Sequence, residues 1–484
     1  MSRFQSHSHY KPAQTSYRLL PLRFSELDAT RYALSNFAGE IHILDRQVAH
    51  EFLTHRLCPS SPQYDELKSK HFLIDDGSSV AIDLLALKTR TRLERASNFT
   101  GLHLFVVTLR CEHSCPYCQV SRQNDNKTHF DMSVETADRS LDLVFRSPSP
   151  FIKIEFQGGE PLLNFGLIRH IVEAAEEKNK TESRELGFVI ATNLAVVSEE
   201  ILEYCREHAI HISTSLDGPA DLHNKNRPRP GGDSYERAID GIERVRSTLG
   251  RDQVSAVMTT TNSSLERVRD IIDEYVSRDF ESIFLRPLSP YGFAIKTKWY
   301  SSYDNNKWLK FYFEGIDYII ELNRQGVSFR ETYASTILTK MLTPFQPGYV
   351  DLMSPAGIGI GALLYNYDGA IYASDESRML AEMGDKTFQL GTVQDSYETL
   401  ISSDALLDPI EKSFASSAPM CSTCAYEPYC GAEPVYHHAT QGDYVGRKTR
   451  SGFCDRNMSI FKGLITRMED DPFTRSLFTR WANR

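Results

Sequence analysis

With 484 residues, 41% of them hydrophobic and 11% aromatic, the chain exceeds one ordinary domain and can bury large cores. Its 54 basic and 64 acidic side chains leave a net charge of −10, which argues against a general binder of nucleic acid. No apolar run approaches a membrane span and no signal peptide opens the chain, so a soluble, cytoplasmic protein is expected. Nine cysteines in such a chain point to metal or redox chemistry rather than disulfides. Seven fall into two groups, while Cys58 and Cys205 stand alone and read as small buried hydrophobes.

Residues 1–16 are polar and His-rich and predict a disordered tail. Residues 17–76 read as a small module. A hairpin is expected from Tyr32–Leu34 and Ile41–Leu44, turning near Asn36–Gly39, followed by helices over Arg46–Leu57 and Tyr64–Phe72. Residues 77–100 predict a linker helix that packs through Leu84, Leu85 and Leu87, with Lys88–Arg95 as a solvated basic face.

From 101 to about 300, strands alternate with helices. Strands are expected at Leu102–Leu109, Phe151–Phe156, Leu186–Ala191, Ile210–Ser215, Gln253–Thr259 and Ser282–Leu285, with helices at Ser133–Phe145, Phe165–Lys178, Ser198–Glu207, Ser234–Thr248 and Ser263–Arg278. Six strands with this spacing imply parallel βα units in an α/β domain, with chemistry at the C-terminal ends of the strands. The first strand runs into Cys111, Cys115 and Cys118, spaced C-x3-C-x2-C. Three thiolates with no fourth nearby would leave one iron of a [4Fe–4S] cluster open; structural zinc is the alternative reading. The second strand ends in Gln157-Gly158-Gly159-Glu160-Pro161, where two glycines allow close backbone approach to a ligand and Glu160 can accept from an ammonium. Asn193 follows the third strand, with an amide suited to ribose hydroxyls. Ser215, Asp217, His223 and Arg227 follow the fourth. For Asp217 and His223, turn-capping and ligand contact both stand open.

Residues 301–350 predict a helical bridge whose aromatic residues, Trp308, Phe311, Tyr312 and Phe313, belong to an ordinary core. The last lobe, 351–484, carries a hairpin turning at Tyr367-Asp368-Gly369, then Ser374 to Arg378. In it Asp375 can pair with Arg378 three residues on. Cys421, Cys424, Cys430 and Cys454 follow, a set that completes a cluster or suits zinc equally well.

The cysteine loop with Tyr117 before its third cysteine, and the Gly-Gly-Glu-Pro turn, resemble the radical S-adenosylmethionine (SAM) superfamily. The resemblance implies a partial (β/α)6 barrel. It also implies a [4Fe–4S] cluster on Cys111, Cys115 and Cys118, capped by SAM, which is cleaved to a 5′-deoxyadenosyl radical. Tyr117, Gln157, Gly158, Gly159, Glu160 and Asn193 then belong to the SAM site. In the related maturases the residues matching Ser215 and Arg227 contact its ribose and carboxylate, and Leu285 is placed against adenine. The C-terminal lobe resembles the SPASM and twitch extensions of peptide maturases, which makes its four cysteines ligands of an auxiliary [4Fe–4S] cluster. Ser354 to Gly357, Tyr372 to Asp375 and Pro434 hold no cysteine where the full SPASM pattern has them, so one auxiliary cluster is expected rather than two. In sulfatase-type maturases a general base stands where Asp375 does. The 17–76 module resembles the winged-helix domain that takes up a leader peptide by strand addition; a structural cap over the barrel is the alternative. Segments such as SDESRML resemble the radical SAM maturases of the His-Xaa-Ser system. The partners so implied are a precursor peptide with its leader, a cytosolic electron donor such as flavodoxin or ferredoxin, and a second maturase. A nucleic-acid-modifying enzyme and a non-catalytic cluster-holding protein are the alternative functions.

Overall fold

A computed structural model describes residues 17–75 and 80–483, apart from the side chain of Arg95. The expected tail over 1–16 and the break at Asp76-Gly77 lie outside the described residues. Strands β1 to β5 span Tyr17–Leu19, Leu22–Glu26, Arg31–Asn36, Ile41–Asp45 and Leu73–Asp75. β6 to β10 span Leu102–Thr108, Phe151–Gly158, Glu185–Thr192, His211–Ser215 and Val254–Val257. β11 to β15 span Ser282–Ile283, Arg330–Glu331, Ala362–Tyr365, Ala370–Tyr372 and Gln389–Thr392.

β6 to β10 lie side by side in chain order, each parallel to the next. Phe105, Val106 and Val107 are all buried, because both faces of a parallel sheet are covered. The crossover helices follow from their apolar stripes. Leu167, Ile168, Ile171, Val172 and Ala175 form the inner face of Phe165–Glu182. Ser133 and Ser198 cap the helices that follow them by accepting from the N–H of Thr136 and Ile201.

The predicted sixth strand does not join this sheet. β11 is two residues long and pairs in parallel with β12 in a separate ribbon. Pro287 and Pro290 offer no N–H for a ladder, and the Leu285 N–H donates to the Glu331 carboxylate at 3.2 Å instead. A backbone bond from Thr260 N to Arg286 O, 2.9 Å, ties this segment to the chain beyond β10.

The opposite edge grows where the sequence suggests a separate lobe. β13 pairs in parallel with β6, and β14 and β15 continue antiparallel, giving one eight-stranded sheet ordered β10-β9-β8-β7-β6-β13-β14-β15. The Ala362–Tyr372 hairpin therefore lies directly beside the strand that leads into Cys111. The bridge forms two helices, Asn305–Arg324 and Thr332–Leu342, with Trp308, Phe311 and Tyr312 in the main core. No described helix is long and apolar enough to cross a membrane.

The N-terminal module has its own core around Leu34, Phe52, Tyr64 and Phe72. Its sheet, β2-β3-β4, has a third strand beyond the expected hairpin. The helix expected over Arg46–Leu57 stops at Leu53, where His55 turns left-handed. In the linker helix, Val80–Ser97, Leu85 is buried, whereas Leu84 and Leu87 are exposed. Arg92, expected on a solvated face, is buried. It donates to Pro428 O at 2.5 Å and Lys340 O at 3.2 Å.

Candidate active site

The ends of β6 to β9 and the loops beyond them surround a cavity of ≈ 280 Å³ lined by Cys111, Cys115, Cys118, Tyr117, Gln157, Gly158, Gly159, Asn193, Ser215, Arg227 and Asp375. Backbone bonds hold the cysteine loop: Ser114 N to Pro228 O at 2.7 Å, Phe293 N to Cys118 O at 2.8 Å and Gln123 N to Leu109 O at 2.7 Å. A Cβ on Gly292, whose φ is +61°, would lie 2.6 Å from Cys118 O. Gly158 and Gly159 have a role beyond closeness to a ligand. Cβ atoms there would lie 1.9 Å from Thr108 O and 2.2 Å from Arg110 O, so these glycines let the end of β7 press against the cysteine loop itself.

Asp217 organises the floor. It is fully buried and accepts from Tyr117 Oη at 2.5 Å, Arg227 Nη2 at 3.2 Å and Thr259 N at 3.2 Å. Arg227 also lies over the Tyr117 ring, 5.7 Å from its centroid. Burial alone would raise the Asp217 pKa; the charges of Arg227 and His223 and the hydrogen bonds from Tyr117 and Arg227 together outweigh it and hold the carboxyl below its ordinary value. Asp217 is thus neither a turn cap nor a cavity-lining group, and part of the Arg227 fork is spent on it. His223 is buried, its pKa lowered by burial to about 3, with Nδ1 facing Asp217 N at 3.3 Å.

Asn193 lines the cavity, but its amide nitrogen is engaged by Glu112 at 2.7 Å and His113 at 2.8 Å. Glu160 does not line it. Its carboxylate accepts from Thr192 Oγ1 at 2.7 Å, Asn193 N at 2.8 Å and Leu162 N at 3.0 Å, and burial beside Glu112 pushes its pKa up to about 8. Leu285 is also fully buried away from the cavity; its neighbour Arg286 lines it instead. Asp375 opens the helix Asp375–Ala381, whose N-cap is Ser374. Its Oδ1 is buried with no hydrogen-bond partner, and burial with the neighbouring Glu376 charge pushes its pKa up to about 7. Arg378 turns away to Val120 O at 2.6 Å and Glu382 at 3.4 Å, so the alternative of an Asp375–Arg378 pair is not formed.

Three thiols on one cavity fit a cluster that they alone would bind. The nearest other donors, Glu112 and His113, lie with Cys111 inside a 4.8 Å group but are turned to Asn193. Burial raises the Cys111 pKa and pushes that of Cys115 up to about 12, so metal loading must displace protons.

Cys421, Cys424, Cys430 and Cys454 line one cavity of ≈ 670 Å³. Four thiols there suit a cluster or zinc. Its wall includes Leu22 to Ser25 of β2, which no sequence signal indicated. Arg23 Nε donates to Ser422 O at 3.0 Å, Arg23 pairs with Glu427 at 3.3 Å, and Ala425 N donates to Ser25 Oγ at 3.1 Å.

Residues 105–275 match the family model of the Radical SAM superfamily. An uncharacterized protein of Methanocaldococcus jannaschii is 30% identical over 190 residues, 39% of this chain and 63% of the relative. The cysteine-type anaerobic sulfatase-maturating enzyme of Clostridium perfringens is 23% identical over 243 residues, 47% and 63% of the two chains. The radical SAM cyclopropyl synthase TigE of Paramaledivibacter caminithermalis is 21% identical over 233 residues, 45% and 48%. The chain thus spans between about half and two thirds of the length of these three relatives. The structure of native anSMEcpe with bound AdoMet superposes with a TM-score of 0.61 at 18% identity, covering 79% of this chain and 99% of that one. Streptococcus suis SuiB bound to the precursor peptide SuiA gives 0.53 at 16%, covering 90% and 99%. At these identities the likeness is one of fold. Residues 105–275 are a radical SAM domain, set in an α/β fold with a mixed, mainly parallel sheet.

Proposed function

We propose that this chain is a radical SAM enzyme that modifies a ribosomally made precursor peptide. The observation that carries the reading is the meeting, in one cavity, of the three-cysteine loop with Asp375, a buried carboxylate left without a hydrogen-bond donor on one oxygen. A [4Fe–4S] cluster on Cys111, Cys115 and Cys118 with bound SAM would supply a 5′-deoxyadenosyl radical for hydrogen abstraction. The chain's own groups bind, orient and exclude water. Asp217 fixes Tyr117 and Arg227 against the cofactor, Gly158, Gly159 and Ser215 present the strand ends to it, and Asp375 takes a proton from the substrate.

Cys421, Cys424, Cys430 and Cys454 would hold one auxiliary [4Fe–4S] cluster. β2 faces the C-terminal lobe, which leaves β4 as the other edge strand of the winged-helix-like module, with Ile41 O taken by Lys70 Nζ at 3.0 Å, and the place for a leader peptide to add as a strand beyond it. A cytosolic flavodoxin- or ferredoxin-like donor and a second maturase are the remaining partners. The resemblance to the His-Xaa-Ser maturases supports the subfamily.

Anaerobic reconstitution tests the reading. The chain should bind about eight irons, release deoxyadenosine from SAM with dithionite, and shift the mass of the co-expressed precursor peptide. A Cys421→Ala/Cys424→Ala variant should fall to about four irons. A colourless protein holding zinc and releasing no deoxyadenosine would overturn the proposal.

A further inference from the structure

A second cavity, of ≈ 80 Å³, lies between the two cysteine sites. It has room for a few waters or one side chain, not for a length of peptide. Arg286 lines both this cavity and the first one, and Asp375 and Glu376, consecutive in the chain, face one cavity each. On the far side Asn457 accepts from Tyr333 Oη at 2.7 Å and brings its amide nitrogen to 3.9 Å from Cys430 Sγ. Rings form one wall: Phe284 stacks on Tyr333 at 5.7 Å, with Tyr349 edge-on to both.

The charges are unequal. Asp351, Glu376 and Glu433 line the cavity against two guanidiniums, Arg286 and Arg456, and burial beside one another pushes the Asp351 pKa up to about 7 and raises that of Glu433. Arg456 is turned to the Tyr436 ring, 5.6 Å from its centroid, and to Asn305 at 3.5 Å. Two further lining groups are 2% exposed or less and lack any partner: the Tyr291 hydroxyl and the Trp308 indole N–H. Buried carboxylates short of counter-charge, beside idle donors, form a site built for an absent polar ligand.

We propose that this cavity receives a cationic side chain of the peptide substrate, an ammonium, guanidinium or imidazolium. Asp351, Glu376 and Glu433 meet its charge, and Trp308 and Tyr291 donate to a carbonyl of the same residue. The inference rests on the peptide reading above and adds the class of residue that is seated between the two cysteine sites.

The test is calorimetric binding of N-acetyl-lysine amide, N-acetyl-arginine amide and N-acetyl-norleucine amide to the full, anaerobically reconstituted chain. The two cationic probes should bind about tenfold more tightly than the neutral one, the scale of a charge-assisted hydrogen bond. Glu433→Gln, which keeps an acceptor for the Tyr436 N–H, should reduce that preference. Equal affinity for charged and neutral probes in the parent chain, or no saturable binding of any probe, would overturn the inference whatever the variant does. Peptide turnover without probe preference would remove this inference alone; probe preference without any peptide modification would remove the maturase reading.

Discussion

Asp375 carries opposite pH consequences for stability and for turnover. Its folded pKa of about 7 lies above the model-peptide value of 3.8, so folding favours the protonated carboxyl. Its contribution is full below about pH 4 and is lost as pH rises towards 7. Asp375→Asn is neutral throughout, so it should unfold at higher urea than the parent at pH 8 and closer to the parent at pH 4. Turnover runs the other way, because a base must be ionised. Peptide modification should rise with pH through about 7, and Asp375→Asn should lose about 10²–10⁴-fold of it while uncoupled deoxyadenosine release persists. Asp217 lies at the opposite extreme, a buried anion fully used. Asp217→Ala would strand the Arg227 charge and should cost about 3–5 kcal/mol in urea unfolding. The seven clustered cysteines were legible because their spacing is itself the chemistry. Asp217 was not, since Ser215-Leu216-Asp217-Gly218-Pro219 reads equally well as a turn. Its role comes from Tyr117, a hundred residues earlier in the chain and adjacent only after folding.

Among the elements, the five parallel strands were legible because each is a short run followed by an amphipathic helix, with Ser133 and Ser198 capping the helices after β6 and β8. A strand at β11 was legible but its place outside the main sheet was not, because it pairs with β12 instead and the Leu285 N–H beyond it goes to the Glu331 carboxylate. The end of β7 shows how an element's termination sets the site. A Cβ on Gly159 would meet main-chain oxygens of Arg110 at 2.2 Å and Leu109 at 2.6 Å, neither of which can swing aside. Gly159→Ala should therefore displace the cysteine loop and lose the iron bound there, seen as a fall in iron content of about half. Gly166→Ala is the matched control. It lies early in the helix Phe165–Glu182 with no heavy atom within 4 Å of its added Cβ, and should keep its iron and gain about 0.5–1 kcal/mol.

At the scale of the whole molecule, two ion pairs of different kinds among the described residues join the N-terminal module and the C-terminal lobe. Arg23–Glu427 is buried, at 3% and 8% side-chain exposure, and adjoins the wall of the second cysteine cavity. Arg31–Asp470 is a surface pair, at 21% and 57%. Deleting residues 17–75 would therefore remove a wall of that cavity along with any leader-binding edge, so deletion alone cannot isolate peptide recognition. Point variants separate the two roles. Arg23→Ala leaves Glu427 buried and unpaired and frees the Ser422 carbonyl in the loop between Cys421 and Cys424. The loss should be about 3–5 kcal/mol, with iron falling towards about four per chain. Arg31→Ala breaks solvent-screened contacts to Asp470 and to Asp28 and should cost about 1 kcal/mol with iron unchanged. Iron and thermal unfolding measured on both proteins decide the matter. If Arg23→Ala keeps all of its iron, β2 is only a neighbour of the second site; if it loses half, the module is part of the architecture that holds it.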